Sequence, residues 1–414
     1  MKYILLFILL FCYVFAFYIA GISVSLLIAF PLYGYAIINK VYYHNVSAVF
    51  KDCYIKNIFL GWWGITLLSI VYPLFFLTFD FSFFRVVGIQ VVHLLAAIPV
   101  FAYLKYKEYT DRQVLSVFTW IFVVQTFIQC IVVSNPTLSE LILYFNKFQP
   151  DDVVGAGSMI RGKALSAATT YHLSLVYGIG FIIYVKEFLS QKISLTNVFI
   201  GLLIFVGIFF AGRTGFVGVA IGLFAFIVSK KVKTSRKIKF AFQLLIILFA
   251  TIFMLSFILP DFYAFLEEQV FPYAFEFLYS KSKSGQIETA STNHLMEMWN
   301  RDFNYVEFLI GSGRYSYENG AYYMHVDPGI LRHTLFMGIG GYLCLLFYQL
   351  ILLPFWKMDK DTRFYYVLIF VYLLVMDFKG CTIGTNKFAF ATSLLLSFSY
   401  FNLSSSLDLS LIHI

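Results

Sequence analysis

The run 195-LTNVFIGLLIFVGIFFAGRTGFVGVAIGLFAFIVSKKVKTSRKIK-239 decides the fold. Two apolar stretches, at about 195–210 and 216–229, are joined by a few small residues, and the second ends in six basic residues within ten at 230–239. Hydrocarbon offers the backbone no hydrogen-bond partners, so apolar runs of this length read as helices. A basic cluster flanking an apolar run marks the cytoplasmic side of a membrane. The stretch therefore reads as a membrane-crossing helical hairpin that turns at 211-AGRTG-215.

The rest of the chain repeats this pattern. Of 414 residues, 60% are hydrophobic, 21% aromatic and 13% charged, against roughly 25% charged in a soluble domain. That excludes a soluble enzyme, a disordered chain and a disulfide scaffold. The apolar runs are continuous rather than alternating, which excludes an outer-membrane barrel. At about 20 apolar residues per span, the chain reads as an all-α polytopic membrane protein with about 12 transmembrane helices. They are expected near 3–20, 22–38, 57–78, 85–103, 114–133, 166–185, 195–210, 216–229, 240–259, 330–354, 364–379 and 387–402. Residues 1–414 form a single integral membrane domain in this reading. The apolar N-terminal stretch from Tyr3 to Ile38 is too long for a cleaved signal, so it reads as two spans turning near Gly21.

Placing both termini in the cytoplasm collects the basic segments 38–56, 103–113, 186–194, 230–239 and 355–363 on one side. Membrane topology thus accounts for the net charge of +8 without nucleic acid. The five cysteines, Cys12, Cys53, Cys130, Cys344 and Cys381, form no metal or disulfide pattern. Two outer loops are too long to be mere connections, 134–165 and 260–329. The second opens on the aromatic stretch 260–279. It then reads as partly helical, with Leu295, Trp299, Val306 and Leu309 giving one amphipathic helix over 294–309.

The span centres carry no charge, which moves the expected chemistry to the membrane surface. His93 and His172 read as packing histidines. The outer-side arginines are the informative residues. Arg213 sits in the 211–215 hairpin, Arg161 in 159-MIRGKAL-165, Arg314 in 311-GSGRYSYENG-320 and Arg332 in 330-ILRHTLFMGIGGYL-343. Each reads singly as a headgroup anchor or as an anion ligand. As a set they suit a lipid pyrophosphate, because the guanidinium fork matches phosphate oxygens. In 325-HVDPGILRHTLFMGIGG-341, Asp327 followed by Pro328 is a helix-start signal, with Asp327 as N-cap. Gly338 would lie eleven residues on, near the same helical face, where Gly338, Gly340 and Gly341 admit a neighbouring helix. Asp327, His325 or His333 is the expected general base towards a hydroxyl.

At these residues the chain resembles the bacterial O-antigen and capsule repeat-unit polymerases (Wzy type) and, more distantly, the O-antigen ligases. The shared features are many spans with a long outer loop towards the C-terminus, the Gly-Arg-Thr-Gly hairpin at 212–215, and the glycine-rich stretch from Gly311 to Gly341. The ligases carry a catalytic histidine at the polar position where this chain has Asp327. The resemblance implies a metal-independent, cofactor-free glycosyltransferase at the outer face of the inner membrane. Its substrates would be oligosaccharide repeat units on undecaprenyl pyrophosphate, with a chain-length regulator protein as a possible partner. An O-antigen ligase, or a flippase for lipid-linked glycan, is the alternative. The long outer loop and the uncharged span centres argue against the flippase.

Overall fold

The computed structural model describes residues 2–146, 164–168, 170–189, 191, 193–258, 260–265, 267–268 and 290–401. Arg161, much of the 134–165 loop and most of the 260–279 stretch lie outside them. The chain is helical almost throughout. The one sheet among the described residues is a two-residue antiparallel hairpin, β1 (Tyr18–Ile19) with β2 (Ile22–Ser23), turning at Gly21 with φ +79°.

Five described helical segments are long and apolar enough to cross a membrane: Cys53–Phe75, Ser82–Tyr106, Asp111–Ser134, Thr170–Leu189 and Gly329–Lys357. Val24–Ile38 and Lys40–Lys51, bent by 120°, together make a sixth. Lys2–Phe15, Leu195–Ala211 and Arg213–Val228 are shorter apolar helices. Large apolar side chains face outward all round, Ile37 at 86%, Phe75 at 77% and Phe257 at 77% exposure. Such a surface belongs in lipid, and the chain is an all-α membrane protein.

The helices α1 to α7 cover Lys2–Phe15, Val24–Ile38, Lys40–Lys51, Cys53–Phe75, Ser82–Tyr106, Asp111–Ser134 and Pro136–Asn146. Then α8 to α12 cover Thr170–Tyr184, Leu195–Ala211, Phe216–Val228, Thr234–Ile258 and Pro260–Phe265. The last five, α13 to α17, cover Ala290–Trp299, Tyr305–Ile310, Gly329–Ile351, Lys360–Asp377 and Lys387–Leu396. Each expected span falls on a helix, yet several of these helices are short.

The centre of the bundle is α8, buried at every residue from Leu173 to Tyr184 and packed by α6, α9, α10, α16 and α17. Close approach is built in with glycine: a Cβ on Gly218 of α10 would lie 2.5 Å from Gly178 Cα. The proline break in the α5 ladder is repaired by a tyrosine. Pro99 has no N–H to give Leu95 O, and Tyr33 donates its hydroxyl there at 2.8 Å.

Two expectations change here. The 294–309 stretch is not one helix: α13 ends at Trp299, and α14 begins at Tyr305 behind the Asn304 cap. Val306 and Leu309 are exposed, and the buried anchor is Met298, packed with Val326, Leu331 and Leu335. The second change is in α15, which breaks at Met337 and Gly338, the latter at φ +67°. The carbonyls freed by the break accept from a loop about 23 residues upstream: Ser312 N–H donates to Leu335 O at 2.8 Å and Gly313 N–H to Phe336 O at 2.9 Å. A Cβ on Gly311 would lie 2.6 Å from Phe336 O, and one on Gly338 would collide with Leu309 O. Gly338 therefore does not share a helical face with Asp327, and its role is to fit this backbone crossing. Gly340 meets nothing within 4 Å, and Gly341 faces Met337 of its own helix.

Candidate functional site

At the end of the bundle where α5, α15 and α17 begin and α7 and α16 stop, a cavity of about 910 Å³ opens. Three clamps build it. The first is Asp80, in the turn between α4 and α5. Its carboxylate accepts from Tyr315 N–H at 2.6 Å, Ser316 N–H at 2.7 Å, Ser82 N–H at 3.0 Å and the Ser82 hydroxyl. Partial burial pushes this carboxyl up, but the four bonds outweigh it and hold Asp80 below its ordinary range. The clamp swings the segment after the Gly-Ser-Gly turn over the mouth of α5, and Tyr315 and Ser316 become cavity wall.

The second clamp is Asp377, fully buried at the end of α16. It accepts from Thr382 N–H at 2.7 Å, Ile383 N–H at 3.0 Å and the Tyr342 hydroxyl at 3.0 Å. Any side chain on Gly329, the first residue of α15, would collide with it. One carboxylate thus joins the 378–386 loop to the start of α15. The third clamp, Tyr171, completes that loop by donating to Met376 O at 2.6 Å and lying 2.6 Å from the Thr382 hydroxyl.

Arg332, one turn into α15, is only 7% exposed. Its guanidinium lies between two tyrosine rings, 4.1 Å from the Tyr315 centroid and 3.4 Å from that of Tyr322. The Nη1 donates to Cys381 Sγ at 3.3 Å, and the Nε has no partner. Burial pushes the Cys381 thiol up, and the neighbouring Arg332 offsets this only in part. A guanidinium held between aromatics and lining a cavity, with no carboxylate partner among the described residues, suits an oxyanion. The same cavity is lined by Arg85, Lys379 and Lys387. Asp327 is the one carboxylate lining it among the described residues. None of Arg85, Arg332 and Lys387 forms an ion pair among the described residues.

The structure brings together only part of the expected set. Asp327 and Arg332 both line the cavity. Asp327 is not the N-cap of α15: Pro328 holds that position with no side-chain cap, and the Asp327 N–H meets Met298 Sδ at 3.3 Å. Its exposed side chain is therefore not spent on the helix. Just before it, Met324 and His325 sit in left-handed backbone at φ +54° and +50°, and Arg301 donates to both their carbonyls. Such strain gathers at functional sites.

His325 does not line the cavity and lies tilted against Tyr317, 5.5 Å between ring centroids. His333 is buried behind the wall, 3.3 Å from the Thr385 hydroxyl, with Tyr315 and Tyr342 on either side. Arg213 and Arg314 do not line the cavity. The Arg213 hairpin packs against α8, where Thr214 and Ser174 hydroxyls meet at 2.7 Å.

No protein-family model, no curated protein and no solved structure matches this chain.

Sequence reasoning missed Arg85, Lys379 and Lys387. All three sit at or just beyond the end of an expected span, where a cation reads as a headgroup anchor. The signal was the stretch 379-KGCTIGTNK-387. With both termini expected in the cytoplasm, this short loop falls on the outer side, where two lysines run against the positive-inside tendency as much as Arg213 does. His172, read as a packing residue, lies in the cavity wall.

Proposed function

We propose that this protein is a polymerase of lipid-linked glycan, embedded in the bacterial inner membrane by about twelve helices with both termini cytoplasmic. The observation that carries the reading is the cavity at one end of the bundle, lined by Arg85, Arg332, Lys379 and Lys387 and, among the described residues, by one carboxylate, Asp327. A diphosphate needs cations in a partly desolvated site, and a glycan needs flat aromatic walls. Tyr18 and Tyr322, both partly exposed, supply the walls.

The growing glycan enters on undecaprenyl pyrophosphate, with Arg332 on the diphosphate. A hydroxyl of the incoming unit attacks the anomeric carbon. The bond from that carbon to the pyrophosphate oxygen breaks, and its electron pair leaves on the diphosphate, where the cations stabilise the charge. Asp327 accepts the hydroxyl proton. Its place in the cavity favours it over His325 and His333. No step calls for a metal.

A gel of surface polysaccharide from cells lacking the gene tests this. A ladder reduced to a single repeat unit on its carrier supports polymerisation. Total loss of surface glycan, with lipid-linked units accumulating, assigns the protein to ligation or flipping instead.

A further inference from the structure

Lys387 brings a second positive centre to the cavity, on a different element from Arg332. It is the first residue of the ten-residue helix α17, behind the cap Asn386, whose Oδ1 accepts from Phe388 and Ala389 N–H, both at 3.0 Å. The start of a helix carries partial positive charge, so a lysine there is disfavoured on its own. The fold sets no carboxylate against it among the described residues. Instead Lys387 lies half-buried between aromatics. Its Nζ is 3.3 Å from the Tyr18 hydroxyl, 5.7 Å from the Tyr18 ring centroid and 4.9 Å from that of Phe388.

The 93%-buried Arg332 lines the same cavity. Lys387 and Arg332 stand on separate helices, each flanked by aromatic rings, so the cavity offers a cationic centre besides the one placed on the diphosphate. A compact ammonium matches one carboxylate, whereas the guanidinium fork matches phosphate. The half-buried Tyr18 ring beside Lys387 offers apolar area to the C–H face of a sugar.

We infer that Lys387 binds the carboxylate of an acidic sugar in the repeat unit, so that the enzyme selects uronic-acid-type glycans. The inference rests on the polymerase reading for the identity of the substrate, but its test does not need turnover. The full-length protein in lipid nanodiscs is titrated with methyl glucuronide and with methyl glucoside, and binding is read by saturation-transfer NMR. One charge-assisted hydrogen bond, about 1.4 kcal/mol, corresponds to a preference for the glucuronide of about tenfold.

The preference is expected to collapse towards unity in Lys387→Gln and to persist in Lys387→Arg, which keeps the charge. Equal binding of the two sugars by the wild type, or an undiminished preference in Lys387→Gln, overturns the inference. The polysaccharide gel stands apart from this. A ladder that needs the gene, with no preference for glucuronide, sinks this inference alone. A Lys387-dependent preference with an unchanged ladder in the deletion strain sinks the polymerase reading alone.

Discussion

The hairpin at 211–215 and the segment 311–341 both set an arginine among glycines at the edge of an apolar helix, and the folded chain uses the two in opposite ways. In the hairpin, glycine removes side chains so that helices touch. A Cβ on Gly215 would lie 2.7 Å from Ser174 O, and Gly218 meets Gly178 backbone to backbone. Arg213 goes to the rim of that contact. In the second segment, glycine bends the chain out of helix altogether. Gly311, Gly313 and Gly338 all take positive φ, and the broken end of α15 is closed by the N–H groups of Ser312 and Gly313. That break and the Asp80 clamp deliver Tyr315 over Arg332. The same residue types in similar order make a packing joint in one place and a charged cavity in the other. What separates them is whether a second strand of backbone arrives to satisfy freed carbonyls.

The sharpest way to break this comparison is to exchange the fates of the two arginines. Arg332→Ala should lower repeat-unit polymerisation by about 100-fold, the usual cost of removing one donor from a developing anion. Arg213→Ala should stay within a few-fold, read as ladder intensity at equal protein level in the membrane. Equal loss in both would return the hairpin to the site.

Next in size is Gly338→Ala, which forces a Cβ into left-handed backbone and against Leu309 O. It should cost about 2 kcal/mol of stability, seen as a lower unfolding midpoint in detergent. Asp80→Asn should cost about 1.5 kcal/mol at neutral pH, because the four donors lose a charged acceptor. The sign of its pH dependence is fixed. The folded Asp80 carboxyl lies below its ordinary value, so its contribution is full above the ordinary range near about 3.9. It is lost as pH falls through the lowered folded value. Thermal scans from pH 6 downward should therefore show the wild-type and Asp80→Asn midpoints converging only in strong acid. The smallest expected effect is Gly340→Ala, with open space at its Cβ. A stability change within about 0.5 kcal/mol of wild type would confirm that Gly340, unlike Gly338, is not needed for the backbone crossing.

Much of the fold was legible because long apolar runs leave the backbone no choice but helix. Each expected span overlaps a helix, though only five of these, or six with the bent pair, are long enough to cross a membrane, and Gly21 does turn the first pair. The break at Gly338 was not legible. Met-Gly-Ile-Gly-Gly is apolar enough to continue a span, and the donors that permit the break lie in another segment. The same holds for Asp327. Asp-Pro is a good local signal for a cap, but Met298 and the strained turn at 324–325 override it. At the site, Arg332 and Asp327 are legible because they stand in a helix-start motif rich in glycine. Arg85, Lys379 and Lys387 were hidden at span boundaries, and Asp80 and Asp377 act through backbone N–H groups that no sequence motif announces.

The measurement that tests the central claim most directly is polymerisation by purified protein. Full-length wild type and Arg332→Ala, each in lipid nanodiscs, are mixed with undecaprenyl-pyrophosphate-linked repeat units extracted from a strain lacking the gene. The account predicts stepwise lengthening with the wild type, release of undecaprenyl pyrophosphate in proportion, and neither with Arg332→Ala. Lengthening that survives in Arg332→Ala, or none with a folded wild type, would contradict it.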